Sequence, residues 1–308
     1  MIALPPVPRS TRRVLGAMTI GSLLTLSACE SSLLDVQDPD IILTASSAAG
    51  AISLKNGVLG YFSGATAGGE STFFFGGLVA DEWRSGDTFE QRNSADARLI
   101  APTNSFLGGQ LRALMRVRVQ GRAAINALRQ FSPTPASNIG LMFALTAWAE
   151  NQVGESYCNG IPFSDLNDGV IAFGAPVGVD SAFRRAINSA DSALLNNGGT
   201  NAPRVANLAA VVKGRALLNR AQYAAAATAV AAVPTSFVYQ DTHSDASGSN
   251  QIWALNTSAK RYVVADNEGG NGLPFRSAND PRLPTAGGGN AFDANTPFGL
   301  PTVWAKTA

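Results

Sequence analysis

Small and apolar residues recur at helical spacing along most of the chain. From Ala45 to about Phe62, Ala48, Ile52, Lys55 and Leu59 fall on one face, and Thr44 is placed to cap that helix. Gly64 to Gly69 breaks it, and the apolar Phe73-Phe74-Phe75 then leads into Gly76 to Trp83. Asn104 to Phe131 predicts a long helix with Leu107, Leu111, Leu114, Ile125 and Leu128 on one buried stripe. Ser132-Pro133-Thr134-Pro135 stops it, and Ser137 to Gly154 predicts a second helix running back antiparallel. Asp180 is placed to cap a third strong helix whose face is Phe183, Ile187, Ala190 and Leu194, ending at Asn196-Asn197-Gly198-Gly199. Ala206 to Val233 predicts a further helical unit, closed by Pro234.

Beyond Pro234 the helical period stops. Residues 235–308 are rich in Gly, Asn, Ser, Asp and Pro, with short β-like pieces at Phe237-Val238-Tyr239, Ile252-Trp253-Ala254 and Tyr262-Val263-Val264. Turns are expected at Gly269-Gly270-Asn271-Gly272, Asn279-Asp280-Pro281-Arg282 and Gly287-Gly288-Gly289. A long irregular segment attached to a helical body is usually functional.

The N-terminus has a different pattern. Arg9, Arg12 and Arg13 precede an apolar run from Val14 to Leu26, and two small residues then lead to Cys29. A positive start, an apolar middle and a small-residue end describe a secretory signal peptide, and the run is shorter than the ~20 residues a membrane-spanning helix needs. Leu26-Ser27-Ala28-Cys29 resembles the lipobox of bacterial lipoproteins. That resemblance implies lipidation of Cys29, cleavage just before it, and a body outside the cytoplasm held by acyl chains. The competing reading is an ordinary signal peptide with a chance cysteine at its end. The organisation expected is a signal peptide over 1–28, a lipidated spacer over 29–44, a helical body over 45–234 and the irregular segment 235–308 of the same domain.

Composition narrows the chemistry. The formal charge is +1, and the leader holds three arginines and no acid, so the remainder is net negative. Nothing there suggests a nucleic-acid partner, and Arg112, Arg116, Arg118 and Arg122 are expected to form a solvated or internally paired face. Of two cysteines, Cys29 would carry lipid, leaving Cys158 as a small buried residue rather than a catalytic thiol. The single histidine, His243, leaves little room for a metal site or His-dependent catalysis, and no cofactor is expected.

Gly214, Tyr223 and Ala226 lie at offsets that resemble the second half of a tetratricopeptide repeat, and the helix pair over 104–154 reads as a divergent second unit. The fold class expected is therefore mostly α, an α-α superhelix of tetratricopeptide-like hairpins with long irregular loops and a few short β-strands. Several stretches together resemble the SusD/RagB family of outer-membrane lipoproteins: Leu34-Asp35-Val36 with Asp38-Pro39, Ala80-Asp81-Glu82-Trp83, Tyr157-Cys158-Asn159-Gly160-Ile161-Pro162-Phe163-Ser164, and Lys213-Gly214-Arg215-Ala216-Leu217-Leu218 with Tyr223-Ala224-Ala225-Ala226. The resemblance implies a non-catalytic protein at the cell surface. Such a protein binds an oligosaccharide or other nutrient and passes it to a SusC-like, TonB-dependent β-barrel transporter. Family members normally continue with another helical hairpin, so the resemblance implies either a truncated or fragmentary member, with an apolar helix face left uncovered, or a member with a genuinely short body.

Sugar recognition needs flat aromatic faces and fixed polar groups. Trp83 with Asp81, Arg84, Asp87 and Arg92 offers both within one loop, and Trp253, Tyr262 and Trp304 are further candidates. Asp81, Glu82 and Asp87 could instead supply a hydrolytic carboxylate pair. The usual nucleophile, phosphate-loop and zinc motifs are missing, so binding is favoured over catalysis. A lipid-anchored helical-repeat scaffold for periplasmic protein partners is the remaining alternative.

Overall fold

The computed structural model describes residues 45–302 except 168, 169, 245 and 247. The lipobox with Cys29, the spacer and Trp304 lie outside the described residues.

The body is a row of helices in which most sequence neighbours pack on each other: α1 (Ala48–Ala67), α4 (Ser105–Phe131), α5 (Ala136–Ser156), α6 (Val179–Leu195), α7 (Ala202–Asn219) and α8 (Tyr223–Val230). Helices α4 and α5 are antiparallel, because Gln110, Arg118 and Gly121 meet Tyr157, Glu150 and Thr146 in opposite chain order. Val58 and Phe62 of α1, Leu114, Val117 and Leu128 of α4, Met142 and Leu145 of α5, and Leu208 and Val212 of α7 form one continuous core. The α7–α8 hairpin closes where an added Cβ on Gly214 would lie 2.6 Å from Val230 Cγ1, so glycine permits that approach. The fold is mostly α with helical hairpins, as the periodicity predicts.

Several boundaries differ from expectation. Helix α1 is capped by Ser47, whose Oγ accepts from the Gly50 N–H at 3.1 Å. It continues through Gly64 to Ala67, because Ala65, Thr66 and Ala67 are buried while Gly64 lies on the open side. Asp180 is not the cap of α6; Gly178 precedes the helix, and Asp180 in its first turn pairs with Arg184 and Arg220. Leu194 is exposed, and the buried stripe of α6 runs instead through Ala182, Phe183, Ala186, Ala190 and Ala193. Cys158 is exposed rather than buried. It follows the end of α5, and its neighbour Tyr157 takes the inward position, donating to Leu107 O at 3.1 Å and to Gln110 Oε1.

A smaller second core sits beside the first. Helix α2 (Thr72–Val79) places Phe74, Phe75 and Leu78 against Phe106, Ile252 and Tyr262. Strand β1 (Trp83–Ser85) pairs antiparallel with a strand at Tyr262–Val264, with Trp83 opposite Val264. Between β1 and α4 lies α3 (Glu90–Asp96), which apolar periodicity does not reveal. Ile252-Trp253-Ala254 is helical rather than β-like. It belongs to α9 (Gln251–Thr257), whose Asn250 cap accepts from the Trp253 N–H, with Ile252 and Leu255 turned to the second core. Phe237-Val238-Tyr239 forms no strand; Phe237 and Tyr239 pack on the main core as irregular chain. Among the described residues no helix is long and apolar enough to cross a membrane.

Candidate functional site

The second half of α1 and the irregular segment from Tyr239 to Gln251 face each other across a cleft of about 570 Å³. Phe62 of α1 buries its ring in the main core and meets Tyr239 edge-on, with centroids 6.0 Å apart. Arg204 of α7 lies over the ring of that tyrosine, its guanidinium carbon 4.4 Å from the ring centroid, and donates to Gln240 O at 3.0 Å. The Asp241 carboxylate accepts from the Ser63 and Thr66 hydroxyls, each at 2.6 Å. His243 Nε2 stands 3.3 Å from Asp241 Oδ2. Leu59 and Leu141 supply apolar wall, and Gln251 a further amide. Burial pushes the Tyr239 phenol above its ordinary pKa, so the ring is a neutral platform and hydrogen-bonding group. An aromatic ring, an amide, a carboxylate, an imidazole and a guanidinium around one concave space suit a polyhydroxylated ligand.

The residues expected from the sequence form a connected cluster elsewhere, and most of it is bound up in the fold. Asp87 has a fully buried side chain and accepts from Arg92 Nη1 at 2.6 Å, from Arg261 and from the Thr88 N–H at 2.8 Å. Tyr262 is 0% exposed and stacks on Phe74, with centroids 3.9 Å apart. In this fold the polar surface of Asp87 and the aromatic surface of Tyr262 are occupied by protein. Trp83 is half-buried, meets Phe74 edge-on at 6.0 Å and lies so close to Gly77 that a Cβ there would be 2.2 Å from its Cδ1. Asp81 pairs with Arg98, and Arg84 reaches Glu268 at 3.9 Å. Trp253 is half-buried on α9. Arg92 also lines a second cavity, beside α1. Of the carboxylates considered for hydrolysis, Asp81 is paired with Arg98, and Asp87 with Arg92 and Arg261.

Behind this loop Asp96 has an abnormal environment. Burial first, and then the charge of Glu268, raise its carboxyl from 3.8 to about 7, against the opposing pull of the Ser85 N–H and Arg84. Its Oδ1 is buried without a hydrogen-bond partner.

This arrangement of hairpins has a structural counterpart. The crystal structure of a SusD superfamily protein from Bacteroides thetaiotaomicron matches with a TM-score of 0.50 and 15% sequence identity, over 61% of this chain and 47% of that one. The fold is SusD-like. The matched region spans about half the length of that neighbour. No protein-family model matches the chain, and no curated protein matches it.

The cleft residues were not singled out by sequence. Ser63 and Asp241 lie 178 positions apart, and only the SusD-like packing joins them. The one usable signal was His243, the single histidine, in a segment rich in turn residues.

Proposed function

We propose that the protein is a non-catalytic, glycan-binding lipoprotein of nutrient uptake. In this reading Cys29 anchors it in the outer membrane facing the cell surface, and it hands its ligand to a TonB-dependent β-barrel transporter. The observation that carries the reading is the cleft at Tyr239: an aromatic ring held by Arg204, with carboxylate, amide and imidazole groups, around about 570 Å³ in a SusD-like fold. That volume lies within the range of small-ligand sites. The groups around it are hydrogen-bonding and stacking groups, which suits binding and release rather than bond cleavage.

Two measurements test this. Oligosaccharides retained by the wild-type protein on a glycan array should be lost or weakened at least about tenfold by Tyr239→Ala, which removes the aromatic wall of the cleft and the seat of Arg204. Tagged protein drawn from gently solubilised outer membrane should bring a large β-barrel with it, and the Cys29→Ala variant should not. Retention of no glycan would overturn the binding reading.

One observation supports the scaffold alternative. Val211, Leu218, Tyr223 and Val230 leave the α7–α8 hairpin with a substantially exposed apolar surface, of the kind that marks protein contacts. Soluble periplasmic proteins, without a barrel, in the same pull-down would favour it.

A further inference from the structure

The open edge of α1 carries Gly60, Gly64 and Gly68, and these three residues line two cavities at once. One is the cleft at Tyr239. The other, of about 400 Å³, is bounded by Tyr61, Glu70, Arg92, Arg112 and Arg116, with Gly69 and Gly109 in its wall. The two cavities meet along this glycine edge. A Cβ added at Gly60 or Gly64 would find nothing within 4 Å, so these positions are not kept small by any packing neighbour.

The second cavity differs from the first in charge. Arginines elsewhere in the described residues are mostly accounted for: Arg118 and Arg122 pair with Asp165, Arg215 with Glu155, Arg220 with Asp180, Arg261 with Asp87, and Arg129 stacks on Phe143. Among the described residues Arg112 and Arg116 have no ion pair, hydrogen bond or aromatic contact. They stand one turn apart on α4, where like charges repel and destabilise the helix. Arg92 adds a third guanidinium whose Nη1 is held by Asp87 while its Nε is buried without an acceptor. Glu70 is the single acid of the lining. Two unpaired guanidiniums, Arg112 and Arg116, stand with the Asp87-held Arg92 against one lining carboxylate, around a cavity with an exposed tyrosine ring, and this surplus of positive charge suits a negatively charged group on a ring-shaped ligand.

We infer that the two cavities are subsites of one trough, and that the ligand is an oligosaccharide carrying an acidic substituent, a carboxylate or sulfate ester, which Arg112, Arg116 and Arg92 hold while another sugar unit sits at Tyr239. The glycine edge is the saddle the chain of sugars crosses, with backbone in place of side chains. This deepens the glycan-binding reading above and rests on it.

The test uses full-length protein in detergent on an array of matched neutral, uronate-bearing and sulfated oligosaccharides. Retained glycans should be acidic, and whether uronates or sulfate esters predominate identifies the substituent. Arg112→Gln with Arg116→Gln should weaken acidic ligands at least about tenfold and leave neutral ones within about twofold, and the acidic advantage should shrink as salt rises. Gly64→Leu, whose Cβ would meet nothing within 4 Å, should weaken tetrasaccharides at least about tenfold. Retention of neutral glycans alone, sensitive to Tyr239→Ala and indifferent to the arginine pair, would overturn this inference and leave the glycan-binding reading standing. Retention of nothing would remove both.

Discussion

The Ser63 hydroxyl donates to the Asp241 carboxylate at 2.6 Å, tying the irregular segment to the first helix of the body. Thr66, one turn nearer the helix end, donates to the other carboxylate oxygen at 2.6 Å. Asp241 is therefore the hydrogen-bonded link of the cleft wall to α1, beside the Arg204 contacts that hold Tyr239 and Gln240 to α7.

Asp241→Ala should detach that wall. Hydrogen bonds to a charged group contribute about 1.5–3 kcal/mol each when well formed, and partial exposure lowers this, so a loss near 2 kcal/mol is expected in urea unfolding. Amide exchange should rise in residues 239–250 and stay unchanged in α4 and α5. Uniform destabilisation without a local rise would show that Asp241 serves the core instead.

Asp87 faces two guanidiniums, Arg92 and Arg261, from a fully buried position. Asp87→Asn keeps the shape and leaves both cations uncompensated. Breaking a buried pair costs about 3–5 kcal/mol; both arginines keep some access to water, so about 3 kcal/mol is expected. Arg261→Gln in the same background should recover part of it. An unchanged midpoint in the single variant would show that solvent already screens the cluster.

Gly214 and Val230 give a sign reversal. Gly214→Ala places a Cβ about 2.6 Å from Val230 Cγ1, and overpacking costs about 1–3 kcal/mol. The same change favours the helix by up to about 1 kcal/mol. Alanine at 214 should thus destabilise the wild type and stabilise a Val230→Ala background. The same sign in both backgrounds would show that the hairpin opens freely.

Asp96 predicts a pH dependence. Its folded carboxyl titrates near 7 rather than 3.8, so the native state binds more protons than the unfolded chain between those values. This group's contribution is fully present below about pH 4 and is lost as pH rises through about 7. Asp96→Asn removes that slope. Its melting temperature relative to wild type should rise between about pH 5.5 and pH 8. Parallel curves would place Asp96 at an ordinary carboxylate pKa.

Apolar spacing alone determined the main helices of the body, because each buries a stripe whose 3.6-residue period survives in a local window: Leu114 and Leu128 of α4 lie inside as their spacing requires. The α7–α8 hairpin was legible for the same reason, and the Tyr262–Val264 strand from its run of aromatic and β-branched residues. Local pattern failed where a distant partner decided the outcome. Ile252-Trp253-Ala254 has strand-like composition, yet Asn250 caps it and the second core draws Ile252 and Leu255 to one side, making a helix. The loop around Trp83 has the residue types of a sugar site, and tertiary packing places Tyr262 under Phe74 and Asp87 between two arginines. The cleft itself exists only once Asp241 meets Ser63 across the chain. Composition announces which groups are available; burial and pairing decide which remain free to meet a ligand, and those depend on neighbours remote in sequence.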